Sequence, residues 1–87
     1  MYVILVYDFG EKRVGKMLKL CRKYLFWVQN SVFEGEISAV RLKELLMCAK
    51  QFMKKDEDSI ILFKGREQSW MEKEINGKER SSTDVFL

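Results

Sequence analysis

The chain has 87 residues, 47% of them hydrophobic, and sixteen Lys and Arg against thirteen Asp and Glu give a formal net charge of +3. That fits one domain with a modest core, too short for two domains and too apolar for disorder, and the charge is too mild to indicate nucleic acid by itself. Histidine is absent, which excludes triads with an imidazole base and the common zinc sites. Chemistry is left to carboxylates, hydroxyls, lysines, tyrosines or a metal held by oxygen.

The first predicted element is Tyr2-Val3-Ile4-Leu5-Val6-Tyr7, a β-branched and aromatic run with strand character. It stops at Asp8 and has no basic segment before it, so it is too short for a membrane span or a signal peptide. The expectation is a soluble cytoplasmic protein with no membrane partner. From Val14 the pattern changes. Val14, Met17, Leu18, Cys21 and Leu25 recur at helical spacing on one face. Lys12, Lys16, Lys19 and Lys23 fall on the opposite face, flanked by Arg13 and Arg22.

Trp27 to Glu34 reads as a strand with polar residues inside it, ended by Gly35, and Ser38 is placed to cap a helix. Leu42, Leu45, Leu46, Ala49, Phe52 and Met53 form the apolar stripe of that second helix. An acidic loop, Asp56-Glu57-Asp58, precedes a third apolar strand, Ser59 to Phe63. Trp70 to Ile75 is a short fourth strand, Asn76-Gly77 a turn, and Val85-Phe86-Leu87 an extended apolar end. Residues 1–78 make one domain, and 79–87 are a linker and strand. Cys21 and Cys48 lie far apart in helical stretches without metal-like spacing, and read as two free thiols of a reducing compartment.

The fold class is α+β, an antiparallel sheet with two helices on one face. As read, the order is β-α-β-α-β-β, one strand away from the split β-α-β-β-α-β arrangement. The missing strand would come from dividing Trp27–Glu34 around Asn30 by a bend or bulge. The first and third strands are apolar on both parities, whereas a sheet with helices on one face normally alternates. Two helices cover only one face, so a second copy packed sheet to sheet is expected over the other. The apolar C-terminal end would add to a strand edge, its own or the partner's.

The start YVILVYD, the basic amphipathic helix, VQNSVFEGEI from Val28 to Ile37, the second helix and DSIILFK from Asp58 to Lys64 together resemble the Cas-two family of CRISPR-associated proteins. The most specific pieces are Tyr7-Asp8 at the strand end and the Gln29-x-Ser31-Val32-Phe33-Glu34-Gly35 run. The resemblance implies a ferredoxin-like domain, with the region around Asn30 as a bent strand pair. It implies a homodimer with facing sheets that bridges integrase subunits along a DNA duplex during spacer acquisition. It also implies metal-dependent endonuclease activity on RNA or double-stranded DNA. Many members carry a longer polar loop after the strand-end aspartate. Here the loop is Phe9-Gly10-Glu11, which leaves Asp8 few polar helpers.

Taken alone, Asp8 is a strand-end carboxylate or a helix cap. With the resemblance, it pairs with its own copy across a twofold axis, where two close carboxylates resist joint ionisation unless a cation neutralises them. Mg²⁺ or Mn²⁺ suits all-oxygen ligation. Tyr7 is read as sheet packing, with the family adding a place in the catalytic site beside Asp8. Phe33 is packing, Ser31 a phosphate contact or a backbone partner, and Glu34 a second acid or a solvated strand end. Lys12, Arg13, Lys16, Lys19, Arg22 and Lys23 put six cations and no acid into twelve positions. Solvated helix faces usually mix signs, so this stripe is assigned to nucleic-acid phosphates, read without regard to sequence. Two other readings fit the same residues: a toxin-like endoribonuclease, and a non-catalytic ferredoxin-like assembly module.

Overall fold

The computed structural model describes residues 1–67 together with Glu72, Glu74, Asn76 and Gly77. The expected fourth strand, Trp70 to Ile75, and the C-terminal strand fall largely or wholly outside the described residues. Six elements follow one another: β1 (Tyr2–Asp8), α1 (Glu11–Arg22), β2 (Phe26–Gln29), β3 (Val32–Glu36), α2 (Ala39–Lys50) and β4 (Ser59–Gly65). They form one four-stranded sheet in the order β2-β3-β1-β4, with every neighbouring pair antiparallel. This is the split β-α-β-β-α-β arrangement, the ferredoxin-like α+β sandwich.

The single polar-containing strand expected over Trp27–Glu34 is two strands. Asn30 and Ser31 turn the chain between them, and Asn30 takes a left-handed φ of 46°, which asparagine adopts more readily than most residues. The indole Nε1–H of Trp27 donates to the Asn30 carbonyl at 3.0 Å, which closes the turn. A register shift between Trp27 and Gln29 marks a bulge in β2, and the reversal has room because the strand pair runs from Phe26 to Glu36, beyond both ends of the expected strand. Nor does Gly35 end the strand, because β3 runs through it to Glu36.

Helix α2 begins as its sequence says, with the Ser38 hydroxyl accepting the Arg41 N–H at 3.1 Å. Helix α1 begins earlier than its apolar stripe, at Glu11, and its N-cap Gly10 has no side chain with which to cap it. Val3, Leu5 and Tyr7 of β1 and Phe33 of β3 pack on Met17 and Cys21 of α1 and on Leu42, Leu45 and Ala49 of α2. Both cysteines are free, Cys21 buried and Cys48 half-buried. Burial pushes the Cys21 thiol up to about 12, so it stays protonated and inert.

The other face of the sheet carries Tyr2, Ile4, Val6 and Asp8 of β1. The ladder sets Ile4 opposite Phe63 and Val6 opposite Ile61. Phe26, Ile61 and Phe63 are more than half exposed there. The two-sided apolar pattern of β1 and β4 is thus answered on one side by the helices, while the second side presents large hydrophobic side chains. No helix among the described residues is long and apolar enough to cross a membrane.

Candidate functional site

Strand alternation decides which candidate residues can meet. Asp8 closes β1 on the open face of the sheet, exposed, in register with Ser59 of β4. Among the described residues no side-chain hydrogen bond or ion pair holds its carboxylate. Tyr7, one position earlier, points to the opposite face, among the helices, and is 3% exposed. Its ring stacks on Phe33 with centroids 6.2 Å apart and meets Phe9 edge-on at 5.7 Å. Burial pushes its hydroxyl up, so it remains a neutral phenol. The structure therefore does not bring Tyr7 to the Asp8 carboxylate; its geometry is that of core packing. Phe33 is fully buried in the same core.

Glu34, expected as a second acid or a solvated strand end, is neither solvated nor beside Asp8. It is 8% exposed and accepts the Tyr2 hydroxyl at 2.8 Å. It sits in mid-strand opposite Ile4, two positions along the open face from Asp8. With Ile4, Val28 and Val32 it lines a cavity that Glu74 and Asn76 also border. Burial and that hydrogen bond keep the Tyr2 hydroxyl protonated far above the usual tyrosine range.

Ser31 lies beside the end of β1, where its carbonyl accepts the Tyr7 N–H at 3.1 Å. With Tyr7, Val14, Gly15, Leu18 and Asn30 it lines a shallow open groove along α1. Lys12, Lys16, Lys19, Arg22 and Lys23 are all exposed. The Lys16 ammonium is not fully free, since it sits 4.9 Å from the centroid of the Phe52 ring, within cation–π range.

Arg13 differs from its neighbours. Its Nε donates to Asp58 Oδ2 at 2.6 Å and its Nη2 to Asp58 Oδ1 at 3.0 Å. Its side chain is only 13% exposed. The fork that would grip a phosphate already grips a carboxylate, so Arg13 drops out of the exposed stripe. Asp58, which the sequence places in an acidic loop, is the residue that sequence reasoning missed.

A divalent cation needs several oxygen ligands. Among the described residues no three Asp, Glu or Cys side chains gather to hold one. One chain offers Asp8 as a single exposed carboxylate of suitable chemistry.

The fold and this strand-end carboxylate define a small ferredoxin-like protein whose second sheet face exposes large apolar side chains at Phe26, Ile61 and Phe63. A family model described as "CRISPR associated protein Cas2" matches residues 1–73, and the chain belongs to that family. It is 45% identical over its whole length to a CRISPR-associated endoribonuclease Cas2 of Thermotoga maritima, covering 99% of that relative. A relative of the same name from Fusobacterium nucleatum is 42% identical, with all of this chain and 87% of the relative covered. Among solved structures, a crystal structure of Cas2 superimposes with a TM-score of 0.81 at 42% identity, covering 95% of this chain and 93% of the other. Streptococcus pyogenes Cas2 at pH 6.5 gives 0.74 at 26% identity, covering 87% and 100%.

Proposed function

We propose that the chain is a CRISPR adaptation subunit. It works as a homodimer with facing sheets, holds duplex DNA, bridges integrase subunits, and cleaves phosphodiesters in RNA or double-stranded DNA with Mg²⁺ or Mn²⁺ at paired Asp8 residues. The observation that carries this reading is the open face of the sheet. There a row of apolar side chains, with Phe63 56% exposed and Ile61 53%, leads along the ladder to Asp8. Burying that row against a second copy supplies the driving force for a dimer and doubles the Asp8 carboxylate. The names of the relatives in Thermotoga maritima and Fusobacterium nucleatum favour RNA as the strand that is cut.

In this reading the two Asp8 carboxylates hold the cation. When bound, such a cation supplies charge stabilisation at a phosphoryl oxygen and an acidified water. The chain's own residues bind and orient the substrate. Lys12, Lys16, Lys19, Arg22 and Lys23 neutralise backbone phosphates, which fixes the duplex without reading its sequence. Tyr7 supports the site from below by packing, outside the reacting set. Asp8→Asn keeps the shape of the side chain and removes its charge. It is expected to abolish divalent-dependent cleavage of labelled RNA and duplex DNA while the dimer persists in sedimentation velocity. Unchanged cleavage would remove Asp8 from the mechanism.

A further inference from the structure

Asp58 has no part in that chemistry, yet its side chain is fully buried and its carboxylate is saturated. Oδ1 accepts the Gly10 N–H at 2.7 Å and Arg13 Nη2 at 3.0 Å. Oδ2 accepts Arg13 Nε at 2.6 Å and the Lys54 N–H at 2.9 Å. Glu57 adds a second acid to Arg13, at 3.5 Å from Nη2. One carboxylate therefore ties together the turn that leaves β1, the first turn of α1 and the loop that enters β4.

Two of the tied segments adjoin Asp8. Asp58 immediately precedes Ser59, which pairs with Asp8 across the ladder. On the other side, only Phe9 and Gly10 separate Asp8 from α1. Phe9 is 8% exposed and held edge-on between Tyr7 and Phe52, with centroids at 5.7 and 6.1 Å. Gly10 is the N-cap of α1 without a cap of its own. Asp58 accepts the Gly10 N–H, as a Glu or Gln at the third helical position does in a capping box, and its negative charge suits a helix N-terminus. A Cβ on Gly10 would collide with the Arg13 guanidinium, so the glycine is what lets the arginine reach across.

We propose that Asp58 is a positioning residue for Asp8. By fixing Gly10 on one side and the start of β4 on the other, it aims a carboxylate that no hydrogen bond from the described residues aims. The inference rests on the assignment of Asp8 as the metal-holding group. In metal sites, removing a hydrogen bond made directly to a ligand typically costs about 10- to 100-fold in metal affinity or activity; Asp58 acts on Asp8 only through the backbone of Gly10 and Ser59, so the lower end, about tenfold, is expected.

The test uses full-length wild type, Asp58→Asn and, as the conservative variant, Arg13→Lys. Amide hydrogen exchange at Gly10 should quicken about tenfold or more in Asp58→Asn, while Leu5 and Phe33 in the core keep their protection. Single-turnover cleavage of labelled RNA at saturating RNA is then titrated with Mn²⁺. The metal midpoint should rise, or the plateau fall, about tenfold or more, with RNA affinity unchanged and Arg13→Lys intermediate. A wild-type midpoint and plateau in Asp58→Asn would make Asp58 a staple of the fold only and overturn the proposal. If Asp58→Asn does not fold, Arg13→Lys carries the same comparison. Mn²⁺-induced broadening of the Asp8 amide resonance reads metal binding without catalysis. Equal broadening midpoints in wild type and variant, together with an unchanged cleavage plateau, overturn the positioning role. No broadening at Asp8 in wild type overturns the metal assignment itself, and the positioning role falls with it.

Discussion

Phe63 is the sharpest probe of the proposed facing-sheet dimer. It is 56% exposed and stands opposite Ile4 on the open face. An aromatic side chain buries about 150–250 Å² when covered, so about 110 Å² remains to be removed from water. At about 25 cal/mol per Å² that is worth about 2.8 kcal/mol for each copy. Ordering the ring costs about 1 kcal/mol, which leaves about 3.5 kcal/mol for the two copies of a symmetric dimer. Phe63→Ala should therefore weaken dimerisation by about 2.5 orders of magnitude, and Phe63→Glu by more, because it adds a charge that must be desolvated. Sedimentation equilibrium over a wide dilution series measures this directly. Val40→Glu, at a position 75% exposed on α2, is the control and should leave the association constant alone. The helix-facing core is untouched by either change, so far-UV circular dichroism should remain that of the wild type. A Phe63→Glu chain that dimerises like wild type would refute the assignment of this face.

Two further outcomes follow from the charges. Replacing both Lys16 and Lys19 by Glu should weaken duplex binding. Each phosphate that is no longer neutralised should lower the slope of log K against log salt by about 0.9; an unmoved slope would place the binding face elsewhere. Arg13 holds the Asp58 carboxyl well below the usual carboxylate range, with the Lys54 and Gly10 N–H groups acting in the same direction against the effect of burial. A depressed folded value means that the stabilisation is fully present above the unfolded carboxylate value of about 3.9 and is lost as pH falls through the folded value. Thermal melts of wild type should therefore lose stability as pH drops below about 4, and Asp58→Asn should melt lower at neutral pH with a flatter acid limb. Parallel acid limbs in the two proteins would show that the pair is not what acid breaks.

The layout of the sheet was legible because burial writes itself into residue type. Val3, Leu5 and Tyr7 face the helices and Ile4 and Val6 do not, yet all are apolar, and that excess over simple alternation pointed to a second covered face. The reversal at Asn30 was not legible from periodicity, since β2 spans Phe26–Gln29 only and a bulge disguises its register. Asp58 was missed for a different reason. Three consecutive acids look alike in a sequence, and only the fold turns one inward. A signal did exist: α1 starts after a glycine that cannot cap it, so the N–H groups of its first turn need acceptors from elsewhere. Asking where the Gly10 N–H finds its acceptor leads to a carboxylate distant in sequence, and Arg13 on the flank of the basic stripe was the complementary half.

The placement of the two charged features also separates holding from cutting. Asp8 belongs to the open face of the sheet, whereas α1 covers the opposite face and turns its lysines away from it. Only the start of α1 lies near Asp8, through the two-residue turn that Asp58 fixes. From Lys12 to Arg22 the helix runs about 15 Å, at about 1.5 Å per residue, so Lys19, Arg22 and Lys23 sit progressively farther from the strand end. A duplex gripped along the whole stripe is held by the helix layer and meets the Asp8 end of the sheet only at the N-terminal part of α1. Removing the charges of Lys19, Arg22 and Lys23 should thus weaken the grip and spare the chemistry, whereas removing that of Asp8 should spare the grip. Under the proposed function such a chain would bridge nucleic acid whether or not the Asp8 residues of two copies were engaged, and the short turn between Asp8 and α1, pinned by Asp58, would be the shortest path along the chain by which the one activity influenced the other.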